Sequence, residues 1–229
     1  MTLAVFDIDG TICDTQEVES RCFSLAVEEI LGIIIDSSDW SRFAEPTSSG
    51  IIRELGANTD EEQVVKERFV SLLAEERVEY PGDFSPICGV LEFIKRLCSE
   101  SNIEVAIATG GFDSEAAFKL ECCGLDLTKF ANATSSDTPR RVDIIPLAIE
   151  RAGYDLNSSI VYFGDAPWDV RACETLQVPM IGIGRRVDEL RRLGVEDVFR
   201  DYSGSDTIFG SMLRRAEQGV PAKSDRSGG

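Results

Sequence analysis

The stretch Leu3-Ala4-Val5-Phe6-Asp7-Ile8-Asp9-Gly10-Thr11 constrains this chain more than any other. Its first half is an unbroken apolar run, the pattern of a strand covered on both faces of a parallel sheet, and it stops at two acids. Side chains alternate along an extended chain, so Asp7 and Asp9 are expected on one side and Ile8 on the other, with Gly10 and Thr11 letting the backbone turn. Two carboxylates so close repel. The arrangement is stable only with a shared proton, a bound cation or cationic side chains between them. The plain alternative, two solvated acids capping a turn, would need no partners elsewhere, whereas the partners of a metal site recur later in the chain.

Forty-one acids against twenty-three bases give a net charge of -18, which repels nucleic acid and anionic membranes. Most of these acids serve as a solvated surface. No histidine is present, which removes the commonest general base and zinc ligand and every Ser-His-Asp or Cys-His arrangement. The seven cysteines are odd in number and form no Cys-x-x-Cys pair, so they read as small core residues in a reducing compartment. The chain enters a strand at once, and runs such as Ile33-Ile34-Ile35 are too short for a bilayer; a soluble cytoplasmic protein is expected.

After Thr11 the pattern turns helical. Val18, Cys22, Leu25, Ala26 and Ile30 fall at three-and-four spacing and Gly32 stops the run. A turn-rich passage through residues 36–50 leads to a short helix at 51–55, and the acids at 60–62 open a helix carrying Val65, Phe69, Leu72 and Leu73. Residues 15–83 therefore read as a helical module inserted after the first strand, with 1–14 and 84–218 as the core. In that core strands at 104–109, 130–134, 160–163 and 180–183 alternate with helices at 89–98, 114–123, 141–152, 168–176 and 205–215, with Pro146 kinking its helix or marking its first turn. Such alternation means right-handed crossovers and a parallel sheet. The tail from Gly219 has nothing to bury and is expected to be disordered; there is no internal repeat.

Ligands of an open parallel sheet bind beyond the carboxyl ends of its strands, so the residues after each strand belong together. They are Asp7 and Asp9, then Thr109-Gly110-Gly111, then Gly164-Asp165 with Asp169 one helical turn on. Rich in oxygen and free of His and Cys, that rim suits a hard cation such as Mg²⁺ with a substrate phosphate. Thr109 and the amides after it suit phosphoryl oxygens, and Arg140 or Arg141 can balance the remaining charge.

In these residues the chain resembles the haloacid dehalogenase-like (HAD) superfamily, in its phosphatase and phosphomutase branch with a helical (C1-type) cap. Asp7-Ile8-Asp9-Gly10-Thr11 is similar to the family's first motif, Thr109-Gly110-Gly111 to its second, an arginine at 140 or 141 to its third, and Gly164-Asp165 through Asp169 to its fourth. The third departs from the usual Lys, and Thr138-Pro139-Arg140-Arg141-Val142-Asp143 leaves the choice between two arginines, with Arg141 favoured. The resemblance implies a three-layer Rossmann-like α/β core with a parallel sheet and a cap at 15–83. It also implies a two-step phosphoryl transfer: Asp7 as nucleophile forming an aspartyl-phosphate, Asp9 as general acid and then base. Mg²⁺ would sit on Asp7, the Asp9 backbone carbonyl and Asp165, with Asp169 a direct or water-mediated ligand or the arginine's partner. Thr109, the Gly110 amide and Arg141 would hold the equatorial oxygens.

The activity this implies is hydrolysis of a small phosphorylated metabolite. A mutase of the β-phosphoglucomutase kind uses the same motifs, and a non-catalytic phosphate-ligand-binding protein would share the fold. A dehalogenase needs neither the metal nor an acid at Asp9, and a phosphonatase has no second acid there. Substrate choice is expected in the cap, where Trp40, Arg42, Glu45, Thr47, Ser48 and Arg53 each read either as a substrate contact or as ordinary surface or packing. Trp168 reads as packing on its own helix. The motifs leave the substrate and the oligomeric state open.

Overall fold

The computed structural model describes residues 1–37 and 39–218, and the Leu3-to-Phe6 run lies in the middle of a six-stranded parallel sheet. Strand β1 (Thr2–Phe6) pairs with β2 (Ile103–Ala108) on one side and β4 (Ser159–Gly164) on the other. With β3 (Ala131–Ala133), β5 (Met180–Ile183) and β6 (Val198–Phe199) the order is β3-β2-β1-β4-β5-β6. Phe6 stands level with Ile107 and Phe163, so the three central strands end together. The chain winds outward from β1 to β3 and then returns to the far side of β1, which makes the β1/β4 boundary the topological switch point, the place such sheets bind ligands.

Alternation explains why β1 is apolar throughout. Leu3 and Val5 pack on Ile144, Ile145 and Ala148 of α6 (Arg141–Arg151) and on Ala172 and Cys173 of α7 (Pro167–Leu176). Ala4 and Phe6 face the other way, onto Phe93 and Leu97 of α4 (Val90–Ser99), Leu120 of α5 (Asp113–Cys122) and Ile208 and Met212 of α9 (Ser205–Gln218). A strand with a helical layer on each face has no polar side to spare, and each fully buried Leu, Ile or Phe contributes about 1.5–3 kcal/mol.

Between β1 and α4 lie α1 (Gln16–Leu31), α2 (Ser48–Glu54) and α3 (Thr59–Glu79). Gly32, at φ 68°, ends α1 by returning its N–H to the Glu28 carbonyl, a conformation that costs glycine little. At the start of α3, Asn58 and Glu61 cap each other's backbone amides. The three helices bury Val18, Phe23, Val27, Ile52, Phe69 and Leu73 in a cluster apart from the two around the sheet, and Phe84 and Phe112 join it from the core side. Leu25, expected on the buried stripe of α1, is 41 % exposed, and Phe23 and Val27 fill the stripe instead.

The structure departs from the sequence pattern at the edges. Helix α8 (Val187–Arg192) and β6 were not expected, because the Val-Asp-Glu-Leu-Arg-Arg helix buries only Leu190 and the strand is two residues long. Pro146 lies inside α6, which continues through it without the N–H that Pro lacks. Helix α9 runs on to Gln218, and the tail expected from Gly219 lies outside the described residues. Cys13, Cys22, Cys123 and Cys173 are buried as expected of core residues, but Cys88 and Cys98 are exposed. Among the described residues no helix is long and apolar enough to cross a membrane.

Candidate active site

Asp7 leaves β1 with the parity of Leu3 and Val5, toward the side that carries α6 and α7. Arg141 opens α6, Asp169 sits in the first turn of α7, and Tyr162 projects from β4. The four meet: Arg141 Nη1 donates to Asp7 at 3.1 Å, to the Tyr162 hydroxyl oxygen at 3.0 Å and to Asp169 at 2.7 Å. The other oxygen of Asp169 accepts the amides of Asp165 and Ala166 at 3.2 and 3.1 Å. Asp169 is thereby committed to orienting Arg141 and the loop after β4.

Asp7, Asp165 and Asp169 are 3 %, 3 % and 0 % exposed, and their nearest oxygens lie within 4.8 Å of one another. Burial pushes the Asp7 carboxyl up to about 7, against the pull of Arg141 and with help from Asp169 and Asp9. Burial, then Asp169 and Asp7, hold Asp165 well above the usual carboxylate range. Asp7, Asp9, Asp165 and Asp169 thus face Arg141 and, at Asp165, Arg186, more acid than these two cations balance, and Gln16 adds only a hydrogen bond to Asp165. An all-oxygen donor set short of positive charge fits Mg²⁺.

The loop after β2 supplies the opposite chemistry. Thr109 is buried, and its Oγ1 accepts the Gly111 amide at 3.2 Å, leaving its own proton to donate. A Cβ on Gly110 would lie 2.5 Å from Arg141 Nη2, so only glycine lets this loop approach the guanidinium. Arg141 Nε is buried with no partner among the described residues. A buried unpaired donor costs about 1–3 kcal/mol, and an anion's oxygen placed there would relieve it. Arg140 takes no part: it is exposed and pairs with Glu45 at 3.3 Å and Asp143 at 3.5 Å. Of the two arginines the sequence left open, Arg141 is the one that reaches the acids.

Asp9 draws on partners the sequence did not display. Ile8 packs in the same cluster as Ala4 and Phe6, as alternation expects, and Asp7 and Asp9 line one cavity, but they take their partners from different helices, Asp7 from α6 and Asp9 from α5. One Asp9 oxygen accepts from Thr15 Oγ1 at 2.5 Å and the other from the ammonium of Lys119 on α5. Gly10, at φ 74°, makes the turn between them, and a Cβ there would lie 2.5 Å from Asp165 Oδ2. Thr15, Gln16, Lys119 and Tyr162 were not singled out from the sequence. A signal existed for Lys119: it shares the buried stripe of α5 with Glu115, Ala116 and Leu120, where a charge needs a reason.

A cavity of about 720 Å³ opens over the rim, floored by Asp7, Asp9, Thr109 and Asp165 and walled by Phe23, Trp40 and Ile51 of the helical insertion. Thr47 and Ser48 also face it, and they dock the insertion: the Ser48 amide donates to the Gly110 carbonyl at 2.8 Å and Thr47 Oγ1 to the Pro139 carbonyl at 2.5 Å. Arg42 instead lies over Phe43, Glu45 holds Arg140, and Arg53 pairs with Glu62. Trp168, read as packing, lines the cavity mouth under Arg186, because the second position of α7 projects off the rim and not into the sheet.

Comparison with known proteins gives the family and the fold. The model of the haloacid dehalogenase-like hydrolase family matches residues 4–183. Phosphoglycolate phosphatase of Agrobacterium fabrum (strain C58 / ATCC 33970) is 31 % identical over 193 residues, 79 % of either chain. This chain belongs to the haloacid dehalogenase-like hydrolase family. Among solved structures, a hydrolase from Pseudomonas syringae superposes with a TM-score of 0.75 at 21 % identity, covering 92 % of this chain and 99 % of that one. CbbY from Rhodobacter sphaeroides in complex with phosphate gives 0.68 at 20 % identity, covering 88 % and 94 %; a mutant of it has been solved with xylulose-(1,5)bisphosphate. At these identities the solved structures speak for the fold.

Proposed function

We propose that this protein is a Mg²⁺-dependent phosphatase that hydrolyses a small phosphorylated metabolite through an aspartyl-phosphate on Asp7. The observation that carries the reading is the convergence, under one cavity, of a buried carboxylate cluster and the unpaired face of Arg141 beside the Thr109-Gly110-Gly111 loop. One half would take a cation and the other a phosphoryl group. The relationship to a phosphoglycolate phosphatase supports the same chemistry.

Substrate phosphate would lie between Asp7 and the loop, its oxygens taking the Thr109 hydroxyl, the Gly110 amide and the free donors of Arg141. Asp7 Oδ attacks phosphorus; the P–O bond to the leaving alcohol breaks, and Asp9 delivers the proton that alcohol needs. Asp9, now ionised, takes a proton from water, whose oxygen attacks phosphorus and returns Asp7 as a free carboxylate with inorganic phosphate. Asp7, the Asp9 backbone carbonyl and Asp165 would hold Mg²⁺, which when bound would supply positive charge against the oxygens that gain negative charge during transfer. The insertion at 15–83 acts as the cap that excludes water and reads the leaving group, with Trp40, Thr47 and Ser48 its nearest reading residues.

The test is phosphate release, with Mg²⁺, from phosphoglycolate, sugar phosphates, nucleotides and aryl phosphates, with Asp7→Asn as the blank. Release from one metabolite far above the others, lost in the blank, is expected. Isomerisation of a sugar phosphate without net release would move the assignment to a mutase, and tight binding without turnover would make the protein a ligand-binding member of the family.

Metal removal gives a second expected result. EDTA abolishes release, and added Mg²⁺ restores it; activity that persists in metal-free buffer rules the metal role out. Binding of Mg²⁺ to the folded chain at about 100 times its Kd raises the thermal midpoint by roughly 5–10 °C. The gain is larger at pH 8 than at pH 5.5. The folded Asp7 carboxyl, at about 7, lies above its unfolded value, so the metal-free fold loses stability as pH rises through that range, and a cation that needs the carboxylate recovers most where the proton has gone.

A further inference from the structure

Lys119 is 0 % exposed, and it lies behind the cavity, outside its lining. A fully buried ammonium is costly, and a methionine of similar shape would fill the same space at lower cost. Packing therefore does not account for it. Its partners are Asp9, Glu115 at 2.8 Å and, more distantly, Glu19 at 3.7 Å. Burial is the largest influence on this ammonium and works against its charge, but the three carboxylates outweigh it and hold Lys119 well above the usual lysine range.

The second partner leads on. Glu115, itself 0 % exposed, accepts the Phe112 amide at 2.9 Å and the Ser48 hydroxyl at 3.2 Å. Gly111 closes over it, where a Cβ would lie 2.5 Å from Glu115 Oε1. A chain of charge-assisted bonds thus runs from Asp9 through Lys119 and Glu115 to the phosphate loop and to the first residue of α2. Thr15 fixes one oxygen of Asp9 and Lys119 the other.

We propose that Lys119 is a positioning residue for Asp9: it sets the orientation of the carboxylate that serves the leaving group and, through Glu115, ties that orientation to the seating of α2 on the Gly110-Gly111 loop. The assignment rests on the phosphatase reading above. It makes a distinction that a structural role does not. Departure of an alkoxide needs a well-placed proton donor, whereas 4-nitrophenolate leaves without one.

Lys119→Met alone would strand the buried Glu115 carboxylate, so the test uses Lys119→Met with Glu115→Gln, which removes both charges. In this double variant kcat/KM for phosphoglycolate falls about 100-fold, the cost of a misplaced catalytic group, while kcat/KM for 4-nitrophenyl phosphate falls less than about 5-fold. Glu115→Gln alone, which keeps the ammonium on Asp9, retains the parent's ratio between the two substrates. A double variant with the parent's ratio, whether both values fall together or neither does, overturns the proposal. A parent that releases no more phosphate than Asp7→Asn from either compound counts against the phosphatase reading itself. The hold on Asp9 is then decided without turnover, by thermal midpoints of Asp9→Asn and Lys119→Met singly and combined. Non-additivity beyond about 2 °C supports it, and additivity overturns it.

Discussion

Asp7→Asn is expected to lose at least about 10⁴-fold in turnover while remaining as stable as the parent or becoming more so. The two halves of this result have different causes. A carboxamide oxygen has the shape of the carboxylate and can still accept the 3.1 Å bond from Arg141, but it does not form a competent acyl-phosphate, so the first step fails. Stability moves the other way. Asp7 is 3 % exposed, its carboxyl is pushed up to about 7 by burial, and Asp169 and Asp9 repel its charge. At pH 8 the parent therefore carries a charge that the metal-free fold disfavours, and the amide removes it. Thermal midpoints at pH 8 without Mg²⁺ should show the variant level with or above the parent, a margin that narrows at pH 5.5 where the parent's carboxyl holds its proton. Turnover equal to the parent's would sink the nucleophile assignment. A variant that is inactive because it is unfolded would show that Asp7 serves the fold, and circular dichroism separates the two.

The parts of this site that the sequence displayed share a physical reason. A central parallel strand is buried on both faces, so it must be an apolar run, and the first charged or hydroxyl residue after it marks the rim. Asp7 after Phe6, Thr109 after Ala108 and Asp165 after Gly164 all follow that rule. The helical insertion was legible from the spacing of Val18, Cys22 and Ala26 and of Val65, Phe69 and Leu73, since an amphipathic helix repeats its apolar residues whatever it packs on. Lys119 and Glu115 were displayed only faintly, by sharing a stripe of α5 with Ala116 and Leu120, because a Glu and a Lys four apart on a helix ordinarily make a solvated pair, and the packing of the insertion over α5 is what makes them interior. Tyr162 was hidden for a related reason: an aromatic in a buried strand reads as core, and its hydroxyl acquires a role only when α6 brings Arg141 to 3.0 Å from it. That Asp7 and Asp9 share one cavity and Ile8 turns away was legible from alternation; the partners of Asp9, Thr15 beyond the Gly10 turn and Lys119 on α5, were not. Periodicity assigns faces within an element; it does not reach around the turn that follows.

Arg141 is where removing a single side chain is expected to damage both stability and activity most. Its Nη1 alone meets Asp7, Tyr162 and Asp169, its Nε is buried and unpaired, and Nη2 lies against Gly110. Arg141→Met would leave Asp7 and Asp169 facing one another in a dry pocket. Loss of one member of a buried ionic cluster typically costs 3–5 kcal/mol, which for a chain of this size is about 10 °C in thermal midpoint. The cost depends on pH with a definite sign. Arg141 pulls the Asp7 carboxyl down toward about 7, so its removal raises that value further. Protonation then neutralises the stranded acid, and the deficit of the variant is expected to be smaller at pH 5.5 than at pH 8.5. Activity separates a ligand-binding arginine from a purely structural one. Measured well below the variant's midpoint, kcat/KM for phosphoglycolate is expected to fall about 10³-fold, since a cationic donor aimed at oxygens that gain charge in the transition state is lost. If the folded variant kept the parent's kcat/KM, Arg141 would be a structural counter-ion and phosphate binding would fall to Thr109 and the loop amides. Arg141→Lys preserves the charge on a shorter, more flexible side chain and should recover most of the stability, because Asp7 and Asp169 need a cation more than they need a particular fork of donors. It should recover less of the rate, because one ammonium cannot hold Asp169 and reach a phosphoryl oxygen with the fixed geometry of the guanidinium.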